Sequence, residues 1–566
     1  MPMFKLSLRG NEARLKLALL AFVLLFTGLG LRDPWPADEP RFAQIAVEMV
    51  DSGQWFFPMR GGELYPDKPP VFMWSIALFY WLLGSIKLAF MLPSALSGLL
   101  TLYLVYDLGK RLWNEQTGML AAALLLLSFQ FTLQAKTAQI DAMVCAWITL
   151  GCYGLLRHLL CKDGWHWYYL GFAAMGLGVI TKGVGFLPLL MLIPFFLARH
   201  FQTQPDEIQG NWRWWTGPLT MLLVIALWFV PMLILVANQA DGAYEVYRDN
   251  ILLKQTARRY ADSWHHIKPF WYYLTSVIPV FWLPLSLLLP WLIPNWWRAI
   301  QAGDRRILLP LVWIGLVVLF FSLSPGKRGV YILPALPMLA LISAPFVQGI
   351  LQKRWPNRLI IATVALFTLV FITLAIAGLA GLDKVQQLVL DYPVQPWWFL
   401  LCIGVFGLLS LFVSRRCQHL SWLLFMSSFW LLYSSWGYVL LTPVKTPKLV
   451  VENLQLHVTR DTPLVMLGLK EQFLLFWPYS MGHFGYHSPM SAQQQSAWQW
   501  LSDHPQGKIL VARQEALSCF DLNKGLDLGF AHRQDWLLLD QSARTADCQI
   551  TSPTLPIFYP GQQRGE

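Results

Sequence analysis

The sequence predicts an all-α polytopic membrane protein, with about 13 spans and a small soluble α/β domain at its C-terminal end. Three observations carry that expectation. Of 566 residues, 56% are hydrophobic and 13% charged, where a soluble chain carries about a quarter charged residues. Apolar runs long enough to cross a bilayer recur between residues 14 and 441. Beyond about Leu449 the composition turns polar. The net charge of +11 invites a nucleic-acid partner, but the basic residues fall mostly in short loops between apolar runs. That is the charge pattern that orients membrane spans, and no nucleic-acid partner is expected.

The N-terminus, MPMFKLSLRGNEARLK, is basic and precedes the apolar run Leu17–Leu31. Gly28-Leu29-Gly30 is a poor cleavage site and leads directly into an acidic loop, so an uncleaved first span with a cytoplasmic N-terminus is expected. Spans are expected near 14–32, 88–108, 117–135, 140–160, 166–182, 183–199, 215–237, 270–293, 307–323, 330–350, 358–380, 396–414 and 419–441. The run 71–86 is expected to lie along the outer surface, as aromatic-rich amphipathic helices do. With that placement Lys110-Arg111, Arg157, Lys162, Arg199, Arg213, Arg298, Arg305-Arg306, Lys353-Arg354, Arg358 and Arg415-Arg416 all fall on the cytoplasmic side. Residues 1–445 then form the transmembrane domain, with 33–87 as its first outer loop, and 446–566 the soluble domain. Pro463–Leu467, Lys508–Ala512 and Asp535–Leu539 are its β-prone pieces. Of seven cysteines, Cys145, Cys152, Cys161, Cys402 and Cys417 read as packing residues, while Cys519 and Cys548 could pair in an oxidising compartment.

Chemistry concentrates in the first outer loop. Asp38-Glu39 and Arg41 sit beside prolines, an amphipathic segment follows (Ala43, Ile45, Ala46, Met49, Val50), and Asp67-Lys68-Pro69-Pro70 leads into an apolar run. Charges held at the lip of a membrane are costly, which favours a site; a solvated loop with a proline-started helix is the plain alternative. Lys68, Lys136, Lys182, Lys254, Arg258, Arg259, Lys327 and Arg328 are cations on the face that should be poor in them. As a set they suggest an anionic ligand such as a lipid phosphate, although snorkelling explains any one of them.

With these residues in hand, the chain resembles the polyprenyl-phosphate-sugar-dependent membrane glycosyltransferases. It is most similar to the aminoarabinose transferases of lipid A and more distantly similar to the protein O-mannosyltransferases. The likeness rests on DEPRFAQIAVEMVDSGQWFFP, LYPDKPPVFMW, QIDAM around Asp141, ITKG around Lys182, RRY with KPFWYY, and SPGKRGVYILPALP, in this order. The chain departs from the family pattern at Asp67 (usually Glu), Phe42 (often Tyr) and Gly329-Val330, where proline is common before Tyr331. The resemblance implies a type C membrane glycosyltransferase fold in a bacterial inner membrane, with the C-terminal domain periplasmic. It implies transfer of a sugar from undecaprenyl phosphate to a periplasmic-face acceptor, foremost 4-amino-4-deoxy-L-arabinose to lipid A phosphate. A protein or surface glycan acceptor is the alternative, and a lipid-linked sugar flippase the alternative of another class. Against the flippase, no internal repeat or paired set of broken helices is evident.

The implied chemistry assigns roles. Asp38, Asp141 and Glu39 are the catalytic candidates, because the anomeric centre becomes cationic and a hydroxyl nucleophile would gain from a base. Lys68, Arg41, Arg258, Arg259, Lys327 and Lys182 are candidates for the lipid phosphate, with Tyr331, Tyr65 and Asp67 beside the donor. Whether Asp38 acts as a base stays open, since a lipid A phosphate is already anionic. No metal ligands are assigned. A divalent cation is compatible with Asp67, Asp262 and His265-His266, but adjacent histidines point in different directions.

Overall fold

The computed structural model describes residues 10–200, 212–239, 241–252, 267–389, 392, 394–415, 420–515, 517–546, 548–549 and 551–561. Helix α1 (Asn11–Phe26) leads into the first outer loop. There α2 (Glu39–Ser52) starts with Pro40 in its first turn and stops at Gly53, whose φ of +71° suits glycine. Its apolar face, Phe42, Ile45, Ala46 and Met49, is buried. A two-stranded hairpin follows, β1 (Met59–Arg60) and β2 (Glu63–Leu64), turning through Gly61 and Gly62 at φ +66° and +85°. Helix α3 (Val71–Leu83) begins after the Pro69-Pro70 pair and ends at Gly84. Its 13 residues span about 20 Å, short of a bilayer's hydrocarbon thickness.

Then come α4 (Ile86–Ala89), α5 (Leu92–Leu112), α6 (Glu115–Leu126), α7 (Phe129–Ala135), α8 (Ile140–Leu159) and α9 (Trp165–Lys182). Each of the thirteen apolar runs carries helix. Among the described residues, seven helices are long and apolar enough to cross a membrane, or up to nine if two bent pairs each count as one span. The bends are 72° between α6 and α7 and 109° between Tyr273–Phe281 and Leu285–Gln301. The second falls at Pro284, which has no N–H to continue a helical ladder.

The C-terminal part holds a five-stranded mixed sheet in the order β4-β3-β5-β7-β6: β3 (Leu464–Met466), β4 (Gly482–His483), β5 (Lys508–Ala512), β6 (Leu526–Ala531) and β7 (Gln534–Leu539). Strand β3 runs parallel to β4 and β5, while β7 pairs antiparallel with β5 and β6. The three β-prone pieces are strands; β4 and β6 are additional. Apolar clusters cover both faces of the sheet, one around Leu510 and Trp536, the other around Ile509 and Leu537, as alternation along a strand requires. Cys519 and Cys548 form a disulfide, and Cys145, Cys152, Cys161 and Cys402 are free.

Candidate active site

The site is built on a buried clasp. Glu39, in the first turn of α2, is ion-paired with Arg32, whose Nη2 lies 2.7 Å from Oε1. The same carboxylate accepts the Trp35 N–H at 2.8 Å and the Ala138 N–H at 2.9 Å. Arg32 also donates to the Lys136 carbonyl at 3.2 Å and lies against the Trp35 and Tyr438 rings. Both partners are almost wholly buried, at 1% and 5% side-chain exposure. Glu39 therefore ties the start of α2 to the turn before α8, with both oxygens engaged in that tie. Lys136 corrects the expected set of ligand cations. Its ammonium donates to the carbonyls of Leu24 at 2.7 Å and Thr27 at 2.8 Å, satisfying orphan acceptors at the end of α1.

This tie places Asp38 and Asp141 on one cluster. Asp38 precedes α2 without capping it, so its carboxylate is available to other partners. Its Oδ2 meets Arg328 Nη2 at 3.1 Å and Gln139 Nε2 at 3.5 Å, and its Oδ1 lies 4.0 Å from Arg41 Nη1. Asp141, in the first turn of α8, is ion-paired with Lys182 at the end of α9. Lys182 Nζ lies 4.8 Å from the centre of the Tyr331 ring, within cation–π range. Four chain segments thus contribute: the first outer loop, the turn before α8, the end of α9, and residues 328–331.

The remaining candidates sit as follows. Arg41 donates through Nε to Glu471 at 3.0 Å. Burial pushes the Tyr65 phenol up, with the Arg41 guanidinium acting the other way. Lys68 Nζ donates to the Asp67 carbonyl at 2.7 Å, at the foot of α3. Lys327 is buried and donates to the Lys268 carbonyl at 2.9 Å, bracing the 267–273 segment where Ile267 pairs with Gly326. Its neighbour Arg328 is the one that reaches Asp38. Arg258, Arg259 and Tyr260 lie outside the described residues, as do Lys254, Asp262, His265 and His266.

Sequence reasoning passed over Arg32, Gln139, Arg60 and Glu471, and named Arg328 among the outer-face cations without giving it a place at the donor phosphate. Arg32 lies seven residues before Glu39, across the loop between α1 and α2 and not on a shared helix, so its only signal was closeness in sequence. Arg60 and Glu471 carry no such signal, being more than four hundred residues apart.

The C-terminal domain docks onto the β1–β2 turn above this cluster. His483 Nε2–H donates to the Gly61 carbonyl at 2.8 Å, and its Nδ1 accepts the Gly485 N–H at 3.1 Å. A side chain at Gly61 or Gly62 would strike His483 Nε2 at 2.6 Å or the Tyr559 carbonyl at 2.2 Å. Beneath the turn, Glu48 accepts the Gly61 N–H at 2.6 Å, the Gly62 N–H at 2.9 Å and Gln44 Nε2 at 2.9 Å. Burial pushes the Glu48 carboxyl up to about 7, against the pull of those three donors. Burial lowers His483, which faces Arg60, Glu63 and Glu471.

The two groups give opposite slopes. An undocked His483 takes up a proton more readily than the docked one, so docking loses stability as pH falls through the ordinary histidine range. Glu48 is raised, so the stability it contributes falls as pH rises from the ordinary carboxylate range towards 7. Comparing wild type with His483→Gln cancels the Glu48 term. Between pH 8 and 5 the wild-type melting midpoint should fall about 2–4 °C further than the variant's. Parallel curves would show that His483 does not hold the C-terminal domain on the β1–β2 turn.

Residues 67–234 match the family model described as dolichyl-phosphate-mannose-protein mannosyltransferase. The undecaprenyl phosphate-alpha-4-amino-4-deoxy-L-arabinose arabinosyl transferase of Pseudomonas savastanoi pv. phaseolicola is 31% identical over 447 residues, 77% of this chain and 79% of the relative. A transferase of the same name, numbered 1, from Pseudomonas fluorescens is 32% identical over 409 residues, 68% of this chain and 70% of the relative. In three dimensions the fold matches ArnT from Cupriavidus metallidurans bound to undecaprenyl phosphate, with a TM-score of 0.70 at 19% identity, over 96% of this chain and all of that one. Similarity of that extent over both chains makes the protein a member of the undecaprenyl phosphate-α-4-amino-4-deoxy-L-arabinose arabinosyl transferase family of membrane glycosyltransferases.

Proposed function

We propose that the protein transfers 4-amino-4-deoxy-L-arabinose from undecaprenyl phosphate to a phosphate of lipid A, on the periplasmic face of a bacterial inner membrane. The observation that carries this reading is the cluster in which Asp38 meets Arg328 and Asp141 meets Lys182, with Arg41 at its edge. In the reaction the bond between the anomeric carbon and the donor's phosphate oxygen breaks, and its electron pair leaves with undecaprenyl phosphate. An oxygen of the acceptor phosphate attacks the opposite face, inverting the centre. Arg41, Arg328, Lys182 and Lys68 stabilise the charge that develops on the departing phosphate; such stabilisation is often the largest catalytic term. Arg258 and Arg259, outside the described residues, are candidates for the same role on the sequence motif alone. Asp38 and Asp141 balance the cationic anomeric carbon and hold their cations in place. The acceptor phosphate brings its own negative charge, so Asp38 has no proton to remove. Lys327 and Glu39 brace the site, and Tyr65, Tyr331 and Asp67 line the donor.

The membrane arrangement belongs to the same proposal: thirteen crossings, α2 and α3 in the plane of the outer surface, the N-terminus cytoplasmic and residues 446–566 periplasmic. The Cys519–Cys548 disulfide suits an oxidising compartment. The match to a protein mannosyltransferase model over 67–234 favours a protein acceptor as the second reading. Mass spectrometry of lipid A from cells with and without the gene separates them. Loss of a pentosamine mass from a lipid A phosphate on deletion is the expected result. Unchanged lipid A with altered glycoproteins would replace it with the second reading.

A further inference from the structure

We propose that the C-terminal domain completes the active site through Glu471, which acts as a positioning residue for Arg41. The inference rests on the reading of Arg41 as a donor-phosphate cation and adds what holds it. Arg41 stands on α2, one turn after Asp38. Its Nε is bound by Glu471 Oε1 at 3.0 Å, which leaves Nη1 directed to the Asp38 side, 4.0 Å from Oδ1. The carboxylate comes from a segment 430 residues away in sequence, so the Nε side of the guanidinium is held only when the domain is docked, while Tyr65 of the first outer loop holds it independently of the domain.

Glu471 is itself held. The same Oε1 is ion-paired with Arg60 of β1, and the Arg60 guanidinium lies 3.2 Å from the centre of the Tyr486 ring of the C-terminal domain. Glu471 and Arg60 are both buried, at 7% and 3% side-chain exposure. Two guanidinium groups share one carboxylate, so this trio keeps a net positive charge. Arg41 is thereby fixed in direction without being neutralised, which is what a leaving phosphate needs from it. Two further bonds dock the domain without touching Arg41: Tyr486 N–H to Glu63 Oε2 at 2.7 Å, and His483 to the Gly61 carbonyl. Docking strength and Arg41 orientation can therefore be varied separately.

The test is a double-mutant cycle on the full-length protein in lipid nanodiscs, with an undecaprenyl-phosphate sugar donor and lipid A acceptor, and rates normalised to folded protein. Arg41→Ala, Glu471→Gln, the double variant and Glu63→Ala are compared. Loss of orientation at a reacting group costs up to about 100-fold. Glu471→Gln should lower kcat about 10- to 100-fold, and the double variant should be no slower than Arg41→Ala alone. Glu471→Asp should recover part of the loss, and Glu63→Ala should lower the melting midpoint with little change in kcat. Should Glu471→Gln fail to fold, Glu471→Asp enters the cycle in its place. Multiplying losses in the double variant, or a Glu63→Ala loss equal to that of Glu471→Gln, would overturn the inference in favour of simple docking. If Arg41→Ala keeps full turnover, the role given to Arg41 falls and this inference with it, while the assignment of Asp38 stands.

Discussion

Asp38→Ala is expected to slow sugar transfer by about 100- to 1,000-fold while leaving the melting midpoint close to that of the wild type. The carboxylate joins Arg328, Gln139 and Arg41, three groups from three segments, and it caps no helix whose loss would unfold the loop. Arg328→Ala should cost a similar factor, and the double variant little more than either alone, because each residue acts through the other. Asp38→Asn separates two chemistries. It keeps an oxygen that can accept from Arg328 but cannot take a proton. With an anionic phosphate as acceptor, the Asn variant should retain more activity than the Ala variant across the pH range. An Asn variant as slow as Ala, against a wild type whose rate falls with a carboxylate titration, would make Asp38 a general base and favour a hydroxyl acceptor.

Glu39→Ala should remove folded protein rather than slow a folded enzyme. The substitution leaves Arg32 charged and almost completely buried, and strips acceptors from the Trp35 and Ala138 N–H groups. Breaking one side of a buried pair costs about 3–5 kcal/mol, comparable with a large share of a domain's net stability. Replacing both partners by apolar residues, Arg32→Met with Glu39→Met, should recover much of that loss, since a well-packed apolar pair avoids desolvating two charges. Thermal melting and yield in detergent read the first effect. Turnover of the double variant reads the second: a folded double variant that still transfers sugar makes Glu39 a structural residue, and a folded but inactive one returns it to the catalytic set.

Asp38 and Asp141 were legible as candidates because charged groups at a membrane lip stand out against an apolar sequence, and the flanking motifs have recognisable spacing. Their partners were less legible. Lys182 was found as a cation beside glycine, whereas Arg328 was overshadowed by Lys327, its neighbour in the same motif. Successive residues in an extended segment point to opposite sides, so one of the two had to face away from the cluster. Backbone direction chose Arg328 for Asp38 and turned Lys327 to the Lys268 carbonyl. Lys136 looked like a ligand cation by position, but it satisfies carbonyls at the end of α1, a demand that sequence alone does not display.

The sequence by itself determined the class of the protein. Its apolar runs, basic short loops, charged first loop and polar tail each follow from local composition, and composition is enough to decide what enters a bilayer and what stays in water. Tertiary structure decided which charges meet. Arg32 with Glu39, Asp38 with Arg328, Asp141 with Lys182, and Arg41 and Arg60 with Glu471 join segments up to 430 residues apart. An ion pair depends on a few ångströms of separation, and that distance exists only once the helices and the C-terminal domain have packed.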